Sequence, residues 1–264
     1  MDFGKYKSTA FLTAFGLLLL TDVVAISLQE RAIEFVAKAF LMPCLALYLW
    51  SSVGNRGLGG ARFLFIGILF AFIGDVMLAI DSGDTGVFFL LGMAAFLVMH
   101  ALLIKHYLRI RDLNNLNTLP NLPVMFLIFA VAVVLIDAIT STTPQSLFFP
   151  LILFGMTLAA STGMSAQAFD KLGERRALLT VIGALLVMAS DVVLGIGLNP
   201  ENRFTGQSQI VMLTYGLGML LIVQGTLETI RRVKRKSGQA EQPTGDFEED
   251  EFGNSLVADQ EQTS

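Results

Sequence analysis

The sequence has few of the residues on which soluble folds and common cofactor sites are built. Only 15% of its 264 residues are charged, and it has one cysteine and one tryptophan. A single cysteine, Cys44, excludes an intramolecular disulfide and a cysteine-based metal cluster. A glycine-rich phosphate loop, a nucleophile elbow and an HExxH zinc motif are also absent. Any chemistry must therefore come from isolated polar residues.

Apolar sequence is abundant instead. Hydrophobic residues make up 54% of the chain, and the mean hydropathy is +0.66. A soluble domain needs more polar surface, and the strands of a β-barrel alternate in polarity, whereas these runs are continuously apolar. We therefore predict an all-α, polytopic integral membrane protein. About eight spans of roughly 20 residues are predicted, at residues 10–28, 32–52, 62–80, 87–107, 123–140, 146–165, 177–197 and 209–230.

The placement of lysine and arginine predicts the topology. With eight spans, fifteen of these residues fall on one side of the membrane and only Arg31 and Arg203 on the other, while Lys38 lies within a span. The excess of positive charge predicts cytoplasmic termini, in a bacterial inner (plasma) membrane. The N-terminal run is interpreted as the first span, since no small-residue cleavage site follows it. We expect residues 1–236 to form the membrane domain and the acidic residues 237–264 to form a disordered cytoplasmic tail.

Two aspartates lie deep inside apolar runs, Asp75 within residues 72–78 and Asp191 within residues 189–194. A carboxylate inside a membrane is costly and usually functional. A glycine precedes each aspartate by eight positions, Gly67 and Gly183 respectively. These similar contexts are consistent with a 4+4 parallel repeat, and also with the chance similarity of apolar segments.

Depth along each helix follows from the rise of about 1.5 Å per residue. Asp75 and Asp191 then lie about 20 Å from the cytoplasmic face, in the outer half of a hydrocarbon core about 30 Å thick. Lys38 and Tyr215 fall at the same level on two other helices. Four polar side chains from four helices therefore share one layer, which is the best candidate site in the chain.

Buried charges need partners, so we expect Lys38 to pair with one of the two aspartates. That aspartate would be ionised, while the other, desolvated and unpaired, would stay protonated near neutral pH. Two carboxyls held in different protonation states are what general acid–base catalysis requires. The alternative is a buried salt bridge that only fixes helix packing.

The other polar residues in the spans are assigned to packing or to the interface. His100 is placed in the cytoplasmic half, about 10 Å from the aspartate layer, where it either orients a substrate or only packs. His106, next to Lys105, is expected at the interface. Two histidines at different levels argue against a zinc site. Asp22 and Asp137, near the outer boundary, are expected to be hydrated and mainly structural.

The chain resembles the YhhN-like lysoplasmalogenases in an ordered set of motifs. They run from about residue 33 to residue 226: Lys38-x4-Pro43 leading into residues 45–49, Gly74-Asp75-Val76-x-Leu78, Phe96-x3-His100 with Tyr107, Gly183-Ala184, Ser190-Asp191-x2-Leu194, and Tyr215. The resemblance implies an eight-helix integral membrane enzyme with no cofactor. It also implies hydrolysis of the vinyl-ether bond of lysoplasmenylethanolamine or lysoplasmenylcholine, giving a fatty aldehyde and a glycerophospho-headgroup.

This reaction fits the residues, because a vinyl ether is cleaved by protonation of carbon, followed by attack of water on the resulting cation. We expect Asp75 and Asp191 to share the acid and stabilising roles, in either order. Lys38, Tyr215 and His100 would bind or orient the substrate. The expected partners are a lysolipid and the bilayer, with no nucleic acid.

Two other readings stay open at this point. A proton-coupled transporter of a small or lipid-like solute would also use carboxylates within the membrane. Against it, no pair of spans has the matched glycine and proline breaks expected at a midplane substrate site. A non-catalytic membrane scaffold would leave the polar layer without a role.

Overall fold

The computed structural model describes residues 3–80 and 86–240, and within them all regular structure is helical. The α-helices are α1 (Phe3–Leu28), α2 (Arg31–Ile80), α3 (Val87–Leu113), α4 (Leu122–Thr140), α5 (Phe148–Gln167), α6 (Arg175–Ile196) and α7 (Gln207–Ala240). Two short 3-10 turns, Gln145–Leu147 and Pro200–Asn202, precede α5 and α7. The predicted tail beyond residue 240 lies outside the described residues.

Helix α2 supplies two of the membrane spans because its backbone turns at Gly54. That residue has φ 63° and ψ 173°, a conformation that is essentially restricted to glycine. The turn separates α2a (Arg31–Gly54) from α2b (Gly59–Ile80).

Eight helical stretches of the described residues are long and apolar enough to cross a membrane, which confirms the predicted fold class and number of spans. Each begins within a few residues of its predicted start. The cytoplasmic location of the termini and the 4+4 repeat stay predictions.

Six of the helices pack in a closed ring in the order α1, α2, α3, α5, α6 and α7, and α7 packs back against α1 and α2. Helix α4 lies outside this ring, mainly against α5. The core of the ring includes Phe15, Leu45, Ile68, Met99 and Ile222, all fully buried.

Glycines allow two helix pairs to approach closely. A Cβ on Gly183 of α6 would lie 2.7 Å from the carbonyl oxygen of Gly218 on α7, and a Cβ on Gly218 would lie 2.8 Å from the oxygen of Gly183. On α2b, a Cβ on Gly74 would lie 2.7 Å from the ring of Phe96 on α3. Small residues of this kind let transmembrane backbones come together, and here they fix the helices that carry Asp75 and Asp191.

We name the two ends of the bundle after the predicted topology. The outer end is the one where α3 begins and α6 ends, and the inner end is the opposite one. At the inner end Glu174 accepts hydrogen bonds from Arg176 and from Arg232 of α7. The hydrogen bond from Arg176, supported by the charges of both arginines, lowers the pKa of Glu174. This cluster joins α6 to α7 on the side away from the aspartates.

Candidate functional site

A polar cavity of about 360 Å³ lies at the outer end, between α2a, α2b, α6 and α7. We call it the outer cavity. Its polar and charged lining comes from Glu34, Lys38, Asp75, Ser190, Asp191, Arg203, Gln207, Ser208 and Tyr215. The four polar residues of the predicted layer, Lys38, Asp75, Asp191 and Tyr215, all line this cavity.

Asp75 is buried on α2b, and among the described residues its one hydrogen-bond partner is a phenol. Tyr215 of α7 donates from its hydroxyl to Asp75 Oδ2 at 3.2 Å, and both side chains are at most 5% exposed. The Tyr215 ring is held by an edge-to-face contact with Phe96, with centroids 6.0 Å apart. Phe96 can lie there because Gly74 has no side chain to displace it. Asp75 thus has a fixed position and a neutral hydrogen-bond donor.

Asp191 of α6 contacts a histidine instead. His100 Nε2 lies 3.1 Å from Asp191 Oδ2, and His100 Nδ1 lies 3.0 Å from the hydroxyl of Ser161 on α5. His100 and Ser161 are 1% and 2% exposed, and neither lines the outer cavity. Phe154 packs edge-to-face on the imidazole, with centroids 5.6 Å apart. Asp191 therefore faces the cavity, and two buried side chains, His100 and then Ser161, follow it in a chain of polar contacts away from the cavity.

The two aspartates are contacted reciprocally across the bundle. Asp75, on the third span, is bonded by the eighth, and Asp191, on the seventh span, is bonded by the fourth. Each carboxyl is therefore held by the helix that directly follows the other carboxyl in the chain.

The predicted pairing of Lys38 with an aspartate is wrong. Lys38 Nζ lies 3.0 Å from Glu34 Oε1, one helical turn away on α2a. Glutamate and lysine at positions i and i+4 are neighbours on a helix surface. The spacing of Glu34 and Lys38 in the sequence therefore already allowed this pairing. Lys38 still lines the outer cavity, but no cation in the described part of the chain is bonded to Asp75.

The expected separation of His100 from the aspartates is also wrong. Cα–Cβ bonds tilt toward the N-terminus of a helix. Because α3 and α6 run in opposite directions, His100 leans toward the outer end and Asp191 leans toward the inner end. An estimate based on Cα depth alone therefore overstated the distance between the two side chains.

Two further positions differ from expectation. Asp22 is fully buried, and neither of its carboxylate oxygens has a hydrogen-bond partner among the described residues. His106 is fully buried rather than interfacial, and its Nε2 lies 2.9 Å from the hydroxyl of Thr226 on α7. Both helices that carry these residues pack within the ring, and their inner faces are closed to water. Asp137 is exposed, as expected.

Sequence reasoning missed several residues of the site, among them Arg203 and Ser161. Arg203 follows the short turn after α6, lines the outer cavity and donates from Nε to the carbonyl oxygen of Gly197 at 2.8 Å. Its only signal was its place among the few cations on the outer side. Ser161, in an apolar run, had no distinguishing signal, because only the packing of α5 against α3 brings it to His100.

An apolar crevice of about 80 Å³ adjoins the outer cavity between α3, α4, α5 and α6. Its walls include Met93, Leu135, Ile136, Phe154 and Leu158. Several side chains line both spaces, among them Leu78, Phe89, Phe96, Asp191, Leu194 and Leu198. Asp191 is the only ionisable residue of this shared boundary. It therefore stands where an apolar space meets a polar one.

A metal centre has no support in the described residues. Within 3–80 and 86–240, no group of three or more histidine, cysteine, aspartate or glutamate side chains is placed to hold a metal ion.

Residues 33–226 match the model of the YhhN family, and the chain belongs to that family. The match covers most of the membrane domain and confirms the family expected from the motifs. Searches of curated proteins and of solved structures gave no match.

Proposed function

We propose that the protein hydrolyses the vinyl-ether bond of a lysoplasmalogen. The observation that carries this proposal is the position of Asp191, which lines both the apolar crevice and the outer cavity. In a lysoplasmalogen the vinyl ether is the junction between the apolar chain and the polar glycerophospho-headgroup. A lipid with its chain in the crevice and its headgroup in the cavity would bring the reacting bond to Asp191.

The lining of the two spaces suits a lipid with one chain. The crevice is small and its lining is nearly all apolar, which suits part of a hydrocarbon chain. The outer cavity offers the cations Lys38 and Arg203 to a phosphate group. Helix α4, outside the ring, forms one wall of the crevice, so a lipid would reach the site from the bilayer beside it.

The surroundings of the two aspartates support different roles. Asp75 is buried, its direct donor is the neutral phenol of Tyr215, and Lys38 pairs with Glu34 rather than with Asp75. A desolvated carboxyl without a bonded cation keeps its proton, and we assign Asp75 as the acid. Asp191 is contacted by an imidazole nitrogen, and we assign it as the ionised carboxylate.

In the first step, Asp75 gives its proton to C2 of the alkenyl chain. The electron pair of the double bond forms the new C–H bond, and positive charge develops on C1 and the ether oxygen. The Asp191 carboxylate, placed at the junction, stabilises this charge. Such preorganised electrostatic stabilisation is worth about 100-fold to 1,000-fold in rate when a single group supplies it.

Water then attacks C1 and gives a proton to Asp191, which forms a hemiacetal. When the hemiacetal breaks down, Asp191 returns that proton to the glycerol oxygen as the C1–O bond breaks. The hemiacetal hydroxyl loses its proton to Asp75. The products are a fatty aldehyde and the glycerophospho-headgroup, and both carboxyls return to their starting states.

The test uses purified protein in detergent with two lipids of the same chain and headgroup, lysoplasmenylethanolamine and its saturated 1-alkyl ether. Only the first has a carbon that can be protonated. We expect fatty aldehyde and glycerophosphoethanolamine in equal amounts from the vinyl ether and none from the alkyl ether. Cleavage of neither lipid by folded protein would refute the proposal, and a gradient-driven flux in proteoliposomes would then favour the carrier.

A further inference from the structure

Ser161, His100 and Asp191 are the three residue types of a Ser-His-Asp triad. Here, however, the aspartate faces the site and the serine is buried behind the histidine. In a nucleophilic triad the serine faces the substrate and the carboxylate is buried behind the histidine. Here Asp191 lines the outer cavity, while His100 and Ser161 are nearly inaccessible and line neither space. Ser161 therefore cannot act as a nucleophile toward a substrate in the cavity.

We propose that Ser161 is a positioning residue that donates its proton to His100 Nδ1, so that His100 donates from Nε2 to an ionised Asp191. The placement of these protons rests on geometry alone. Its effect on turnover rests on the function proposed above.

The direction of the Ser161 hydrogen bond follows from its neighbours on α5. The Ser161 hydroxyl has one proton and two acceptors within reach, the Leu158 carbonyl oxygen of its own helix at 2.9 Å and His100 Nδ1 at 3.0 Å. The Leu158 oxygen also accepts from the hydroxyl of Thr162 at 2.9 Å, and in an α-helix it accepts the N–H of Thr162 as well. These two donors match the two lone pairs of a carbonyl oxygen. The Ser161 proton is therefore assigned to His100 Nδ1 rather than to the Leu158 oxygen.

The tautomer of His100 follows from that bond. A neutral imidazole has one N–H and one acceptor nitrogen. If Nδ1 accepts from Ser161, the proton is on Nε2, where it points at Asp191 Oδ2 3.1 Å away. Such a donor to a carboxylate is charge-assisted. Asp191 is thereby held as a carboxylate with its other oxygen left for the cavity.

The second histidine provides an internal control. His106 Nε2 contacts the hydroxyl of Thr226, which lies 2.8 Å from the Ile222 carbonyl oxygen. His106 has no carboxylate partner, and its Nδ1 is buried without a partner among the described residues. Each histidine thus contacts a hydroxyl, but only His100 also contacts a carboxylate.

The experiment is nitrogen NMR of the full chain in detergent, labelled with ¹⁵N-histidine. The chain has only two histidines, and a His106→Gln variant assigns their signals. We expect Nδ1 of His100 to be unprotonated and hydrogen-bonded in the wild type. In Ser161→Ala the Nδ1 signal should move to that of a free acceptor or of mixed tautomers, and Ser161→Thr should restore it.

Turnover of lysoplasmenylethanolamine is measured on the same variants. Loss of one hydrogen bond that orients a charged group should lower kcat about tenfold in Ser161→Ala. KM should stay unchanged, because Ser161 does not line the cavity, and Ser161→Thr should recover kcat. The matched control, Thr226→Val, should move the His106 signals and leave the His100 signals and kcat as in the wild type.

A protonated Nδ1 in wild-type His100 would overturn the proposal, because Ser161 would then accept and not donate. Unchanged His100 signals and unchanged kcat in Ser161→Ala would overturn it as well. If the wild type shows the expected tautomer but releases no aldehyde, the proton placement is supported and the proposed function is refuted.

Discussion

The surroundings of Asp75 and Asp191 are alike in sequence and different in structure. Each aspartate follows a glycine by eight positions, and each is contacted by a helix from the other half of the chain. Asp75 lines only the outer cavity and is contacted by a phenol, whereas Asp191 also lines the apolar crevice and is contacted by an imidazole. Two similar motifs are therefore distinguished by the side chains that other helices bring to them.

This difference is what acid–base chemistry on one substrate needs. A pair of carboxyls whose surroundings favour opposite protonation states can give and take protons in the same turnover. The proposed roles of the two aspartates are therefore set by α3, α5 and α7, and not by the helices that carry them.

The largest expected effect is that of Asp75→Asn, which removes the proposed acid. We expect kcat to fall about 1,000-fold, within the range of about 100-fold to 10,000-fold that a positioned proton donor supplies. Aldehyde release in detergent is the measurement. Asp137→Asn makes the same chemical change at an exposed position on α4 and should turn over like the wild type. Full turnover by folded Asp75→Asn would remove Asp75 from the mechanism.

Asp191→Asn should have a smaller effect, about 100-fold on kcat, since it removes a stabilising charge rather than the proton source. Added formate can stand in for a lost carboxylate where truncation of the side chain leaves space for it, and we expect it to restore part of the activity of Asp191→Ala but none of that of Asp75→Ala. Rescue of the Asp75 variant alone would exchange the two roles and so reverse the comparison.

Tyr215→Phe tests the contact that is specific to Asp75. Loss of the one hydroxyl bonded to Asp75 Oδ2 should lower kcat about tenfold, as expected for one buried hydrogen bond. Tyr107→Phe is the matched control, because the Tyr107 hydroxyl is buried without a partner among the described residues. Equal losses in the two variants would show that Tyr215 acts only through packing.

The smallest effect is expected for Arg203→Gln, on the polar side of the site. An exposed charge pair contributes at most about 1 kcal/mol, so KM should rise about two- to fivefold with kcat unchanged. A 1-alkenylglycerol that lacks the phosphate should show no difference between wild type and variant. Arg31→Gln removes another outer cation, one that does not line the cavity, and should leave KM unchanged.

The fold was predictable because the apolar runs are long and uninterrupted, so that each span has a hydropathy signal of its own. The layer shared by Asp75, Lys38 and Tyr215 was predictable for a related reason, since residue counts along straight helices give depth. The partner of Lys38, which is Glu34, was not predicted. A lysine can pair along its own helix with Glu34 as readily as across the bundle, and the depth of a residue does not distinguish the two pairings.

The contacts of His100 depend on information that residue counts do not contain. Side-chain tilt in antiparallel helices closes the gap between His100 and Asp191, and helix packing decides that α5 presents Ser161 to the same imidazole. The burial of Asp22 and His106 has the same origin, because the rotation of each helix about its axis decides which residues face the ring.

The most direct test of the central claim is the position of the proton that the proposed reaction adds to the lipid. Wild-type protein would cleave lysoplasmenylethanolamine in D₂O containing ¹⁸O, and both products would be analysed by mass spectrometry. We predict one deuterium on C2 of the aldehyde and no ¹⁸O in the glycerophosphoethanolamine, because carbon is protonated and water attacks C1. An aldehyde without deuterium at C2, or ¹⁸O in the glycerol hydroxyl, would contradict the mechanism.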